Sequence, residues 1–78
     1  MNPPQALDTD PAPVAELLKK ARAAWDRLQH HDAVELVRAA MQAAVASKDH
    51  PRSVQLAVWV SEAEAAEEAS TLGGVKPT

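Results

Sequence analysis

Asp26-Arg27-Leu28-Gln29-His30-His31-Asp32-Ala33-Val34-Glu35 separates two apolar stripes, and the fold depends on whether the chain turns inside it. Upstream, Val14, Leu17, Leu18, Ala21, Trp25 and Leu28 recur at steps of three and four, the spacing of an amphipathic helix. Downstream, Leu36, Val37, Ala40, Met41, Ala44 and Val45 form a second such set. In one unbroken helix the second stripe would centre roughly 130° away from the first. Asp32 and Glu35 would then fall where the first stripe should continue. A straight helix would need two separate burying surfaces, whereas a turn near Gln29–Asp32 needs one. The pattern Asp32-Ala33-Val34-Glu35 also has the form of a capping box ahead of an apolar run.

Outward from that turn, the chain reads as all-α, a small helical hairpin or three-helix bundle with helices over about 11–29, 33–47 and 52–72. Thr9-Asp10-Pro11 is a start signal, with Asp10 as a cap and Pro11 in the first turn. Ser47-Lys48-Asp49-His50-Pro51 ends the second helix, because the residue before a proline is driven out of the α region, and Pro51 suits the first turn of the next helix. The third segment alternates at Val54, Leu56, Val58 and Val60 as a strand would. With no second strand its backbone groups would stay unpaired, so it is read as a helix stopping at Leu72 before Gly73-Gly74. Residues 1–10, with Pro3, Pro4, Asp8 and Asp10, read as a disordered arm; 11–72 as a single helical domain; 73–78 as a flexible tail.

Composition narrows the function classes. Seventy-eight residues make one small domain with a marginal core. Alanine supplies 17 of the apolar residues, Phe, Tyr and Ile are missing, and there is no cysteine for disulfides, thiolate metal sites or thiol nucleophiles. A net charge of −3 speaks against a general nucleic-acid binder. No apolar run reaches the roughly 18–20 residues of a membrane span, and the first residues lack the features of a signal peptide. A soluble cytoplasmic protein is expected.

The polar residues offer few candidate sites. His30, His31, Asp32 and His50 are metal-ligating types. Neighbouring helical residues point about 100° apart, and the two interhelical connections lie about 20 Å from each other across a 15-residue helix. No metal site and no cofactor are therefore expected. Ser47, Ser53, Ser61 and Ser70 have no base-and-orienter arrangement, there is no Gly-rich phosphate loop, and no enzyme is expected. Arg52, Ser53 and Gln55 could open a recognition helix, but no contiguous basic stripe accompanies them. The acidic residues Glu62, Glu64, Glu67 and Glu68 complement Lys19–Arg27 in charge, which would steer a second copy or a partner.

The stretch from Ala24 to Pro51 resembles, in style, a single tetratricopeptide unit, with Trp25, Leu28, Ala39, Ala46 and Pro51 echoing its aromatic, small and terminal-proline positions. The distance from Trp25 to Ala39 departs from that repeat and only one unit occurs, so the resemblance implies no activity.

Around Leu56-Ala57-Val58-Trp59-Val60 the third helix is apolar nearly all round, more than one core face would take up. The expected function is a small non-catalytic protein–protein interaction module: a homodimeric adaptor, inhibitor or regulator of a larger partner protein. Leu56, Trp59, Val60, Ala63, Trp25 and Met41 are the expected interface. The alternatives are a small DNA-associated transcriptional regulator built on Arg52, Ser53 and Gln55, and a structural subunit of a multiprotein assembly.

Overall fold

The computed structural model describes the backbone of residues 2–75 and the side chains as far as Glu67. It contains three helices and, among those residues, no strand: α1 (Ala12–Asp26), α2 (His30–Ala46) and α3 (His50–Val75). The all-α fold read from periodicity is the fold of the chain. Connections of three residues, 27–29 and 47–49, make sequential helices antiparallel neighbours. α2 lies in the middle and packs against both α1 and α3, while the α1 and α3 backbones do not approach each other directly.

The chain does turn inside the quoted stretch, a little earlier than expected, and the two turns share one geometry. Leu28 and Lys48 adopt the left-handed conformation, at φ 63° and 61°. Gln29 N–H donates to the Ala24 carbonyl at 2.9 Å and Leu28 N–H to the Trp25 carbonyl at 3.0 Å. Asp49 N–H to Ala44 and Lys48 N–H to Val45 repeat the pattern at 2.9 Å each. This is the Schellman arrangement, which satisfies the orphan carbonyls of a helix end. Glycine is the usual residue at that position; a side chain there costs roughly 1–2 kcal/mol. The price is accepted at both turns, and Leu28 is left 80% exposed at the tip of one.

Two caps differ from the sequence-based reading, and a third is new. α2 begins at His30 with Gln29 as N-cap and no side-chain cap bond, so Asp32 lies inside the first turn and favours the helix through the macrodipole alone. α1 has Pro11 as N-cap, again without a side-chain bond, because the Asp10 carboxylate is engaged elsewhere. At α3 the Asp49 carboxylate accepts from Arg52 N–H at 3.4 Å, and Ser53 Oγ donates to the His50 carbonyl at 2.8 Å. α3 runs on to Val75 through Gly73-Gly74, which lower helix propensity without forbidding the conformation. Of the expected tail, residues 76–78 lie outside those described.

The core joins Val14, Leu18 and Ala21 of α1 to Val34, Val37, Ala40 and Ala44 of α2 and to Leu56, Trp59, Val60 and Ala63 of α3. Alanines on α2 let its neighbours come close, yet each alanine removes little area from water. Leu18, Leu56, Val14 and Val37 are the largest fully enclosed side chains. At about 1.5–3 kcal/mol for each large aliphatic group, these few carry a large share of the stabilisation.

Residues 2–10 have neither helix nor strand, and they are nonetheless tied down. Pro3 is buried, Ala6 packs on the core, and Asp10 N–H donates to the Leu7 carbonyl at 3.0 Å. Leu7 N–H in turn donates to Asp10 Oδ2 at 2.9 Å.

The caps generate a direct comparison. Asp49→Ala is expected to cost about 0.5–2 kcal/mol as the loss of an N-cap. Asp32→Ala should cost less, about 0.3–1 kcal/mol from the dipole alone. Midpoints of chemical denaturation measure both, and a larger loss for Asp32→Ala would reverse the cap assignment.

Candidate interaction site

α3 is the element on which the chain's unusual chemistry gathers. Its inward stripe is Arg52, Leu56, Trp59, Val60 and Ala63, all buried. The spacing of four, three and four from Arg52 to Ala63 is that of one helical face, and it places an arginine on a core-facing stripe. Such a residue needs a carboxylate and further acceptors close by.

The N-terminal segment supplies them. Arg52 Nε donates to Asp10 Oδ1 at 3.0 Å and Nη2 donates to Asp10 Oδ2 at 3.1 Å, a two-pronged pair. Nη2 also donates to the Gln5 carbonyl at 2.6 Å, and Nη1 to Gln55 Oε1 at 3.1 Å. The side chains are 10% and 1% exposed, so the pair is shielded from water. Two helical turns further along the same face, Trp59 Nε1–H donates to the Asn2 carbonyl at 2.8 Å. The segment therefore lies along α3, and Gln5 and Ala6 border an open cleft together with Leu18, Lys19 and Arg22 of α1. Ala6 packs against the core.

The expected interface residues take the following places within one copy. Leu56, Trp59, Val60 and Ala63 are enclosed within a single copy, with Trp59 only 8% exposed. Trp25 is half-buried: its ring stacks on His30 at 4.0 Å between centroids and meets Trp59 edge-on at 5.8 Å. Met41 is half-buried against the core. Within one copy these four form the inward wall of α3. Further apolar residues stand on its opposite side. Val54 is 61% exposed and Val58 52% exposed, and with Ser61 and Ala65 they line the face opposite the core stripe.

The charges are also partly consumed at home. Arg38 of α2 reaches Glu64 of α3 and Glu35 of its own helix, and His31 lies 3.8 Å from Glu67 and 3.9 Å from Glu35. The acidic positions Glu64 and Glu67 thus face α2 of the same chain instead of Lys19–Arg27. These side chains are between 38% and 75% exposed, and each pair contributes little, under about 1 kcal/mol. Arg52 and Ser53, the core of the possible DNA-reading helix, are buried. Four of the five N–H groups of Arg52 are engaged by Asp10, Gln5 and Gln55.

An open groove of about 470 Å³ runs between α1 and α2, bordered by Lys20, Ala24, Arg27, Asp32, Glu35 and Leu36. Its charges are mixed in sign and it holds no nucleophile paired with a base. Among the described residues no cluster of three or more His, Asp or Glu could hold a metal ion. No described helix is long and apolar enough to cross a membrane.

The Arg52–Asp10 pair and the Trp59 indole bond were not anticipated from the sequence. One signal pointed to the first: Arg52 falls in step with Leu56, Trp59 and Ala63. Nothing local identified Asp10, which is 42 residues away. Enclosure of Trp59 has a measurable consequence. Trp59→Ala is expected to cost about 3–5 kcal/mol by denaturation, and Trp25→Ala less because its ring is less completely buried. An equal or smaller loss for Trp59→Ala would contradict its place in the core. No family model, curated protein or solved structure matches this chain.

Proposed function

We propose that this chain is a small non-catalytic protein–protein interaction module, a cytoplasmic homodimeric adaptor, inhibitor or regulator of a larger partner. The supporting observation is the outward face of α3, where Val54 and Val58 stand largely exposed one turn apart, directly opposite the core. Ser61 and Ala65 continue that face without a charge at its centre. A second copy laid antiparallel on it would match small and apolar side chains along several turns, leaving Glu62 and Gln55 at the rim. Self-association, rather than a site for chemistry, is what such a face offers.

Burial of Arg52 and Ser53 within one copy weighs against a DNA-associated regulator, since their side chains would have to leave the core to reach a duplex.

Sedimentation velocity of wild type and of the Val54→Glu, Val58→Glu double variant tests the reading. Wild type is expected to sediment as a dimer at concentrations of tens to hundreds of micromolar, and the double variant as a folded monomer. A wild type that stays monomeric throughout, or a double variant that dimerises as well as wild type, would rule out this face.

A further inference from the structure

Residues 2–10 lie against Arg52 and Trp59 of α3, and the way they are held shows what else that face could take. Asn2 and Pro3 each precede a proline, which restricts both to extended or polyproline conformations. A polyproline helix advances about 3.1 Å per residue with three residues per turn, so carbonyls three positions apart point the same way about 9 Å apart. The two carbonyls that α3 captures belong to Asn2 and Gln5, three positions apart. The donors are Trp59 and Arg52, seven positions apart on one helical face and therefore about 10 Å from each other. The spacing of the donors on the helix matches the repeat of the extended strand. Pro3 is buried between these two anchor points, and the Asp10 carboxylate completes the contact at the Arg52 end.

Two features of this contact bear on what else the face could hold. Main-chain carbonyls are common to every peptide, so an indole N–H and a guanidinium that hold them impose conformation more than sequence. Selectivity then comes from the buried proline and from one carboxylate. The buried arginine is also indispensable to the occupant and awkward without it: with the segment lifted away, its guanidinium would lose Asp10 and the Gln5 carbonyl together.

We propose that the face of α3 bearing Trp59 and Arg52 is a receptor for an extended, proline-containing segment of a partner protein that carries a carboxylate for Arg52, and that residues 2–10 are its built-in competitor. A partner segment displaces the cis segment by making the same contacts: a carbonyl on the Trp59 indole, a second carbonyl one polyproline turn later on Arg52, and an acid beyond it. The cis segment holds the face at an effective concentration on the order of millimolar, so the wild-type face answers only to a strong or abundant partner. This site is on the opposite side of α3 from Val54 and Val58, and it stands or falls separately from self-association through them.

The test uses the full chain and, as probe, a capped synthetic peptide of residues 2–10, Asn-Pro-Pro-Gln-Ala-Leu-Asp-Thr-Asp. Binding is read from the Trp59 Nε1–H signal in ¹H–¹⁵N spectra, assigned with a Trp25→Phe chain. Asp10→Ala loosens the cis segment, and this chain is expected to bind the peptide at least tenfold more tightly than wild type. The binding should be lost when the peptide's two prolines are replaced by glycine, and also, read from the backbone amide signals of α3, when Trp59→Phe is added to the Asp10→Ala chain. If Asp10→Ala does not fold, Pro3→Gly with Pro4→Gly keeps the ion pair, loosens the remainder and takes its place. No movement of the Trp59 signal with millimolar peptide in a folded, loosened chain would overturn the proposal. So would equal binding of the proline and glycine peptides.

Discussion

A guanidinium has been placed on the inward face of a helix, and the surrounding structure is arranged to tolerate it. Removing two charges from water is expensive, and the return comes only when geometry is good and the remaining donors find acceptors. Arg52 meets those terms: Asp10 takes two of its N–H groups, the Gln5 carbonyl a further one, and Gln55 another. Each of the first two partners lies in the N-terminal segment. A stretch with too little apolar surface to fold alone is thereby fixed along α3, and Trp59 gains an acceptor for its indole N–H. Without the arginine the segment would have a buried Pro3 and a packed Ala6 as its main anchors.

This constraint explains how so alanine-rich a chain closes its core. α2 can be small-sided because it is flanked by helices on two sides, but α1 and α3 do not meet through their backbones. Their side chains meet through the edge-on contact of Trp25 with Trp59, and the N-terminal segment is held beside them on α3. Aromatic groups remove more area from water than any alanine can, and a pair in that orientation adds about 0.5–1.5 kcal/mol beyond burial. Stability is concentrated in a few large groups and one ion pair.

Much of the architecture was legible from periodicity. The mismatch between the stripes of Val14–Leu28 and Leu36–Val45 required a turn, and the chain turns there. Its placement was less legible, because both turns put non-glycine residues, Leu28 and Lys48, into the left-handed region, where composition gives no warning. The capping pattern Asp32–Glu35 was a plausible start that the geometry leaves inside the helix. Asp10 looked like a cap and a mobile neighbour of prolines because its partner is distant in sequence. For α3, local counting gives the quantity of apolar surface and does not divide it between the two sides of the helix. Trp59 and Leu56 face inward with Arg52, while the lesser residues Val54 and Val58 face out. Only the position of Arg52 in step with the tryptophan could have settled the direction.

The account depends most on the coupling between the N-terminal segment and α3. A double-mutant cycle on Asp10→Ala and Arg52→Ala, followed by denaturant unfolding, measures it directly. A shielded, two-pronged pair predicts a coupling free energy of about 2 kcal/mol or more. A value near zero, in the range of exposed surface pairs, would mean that the segment is not held by Arg52 and would contradict the account.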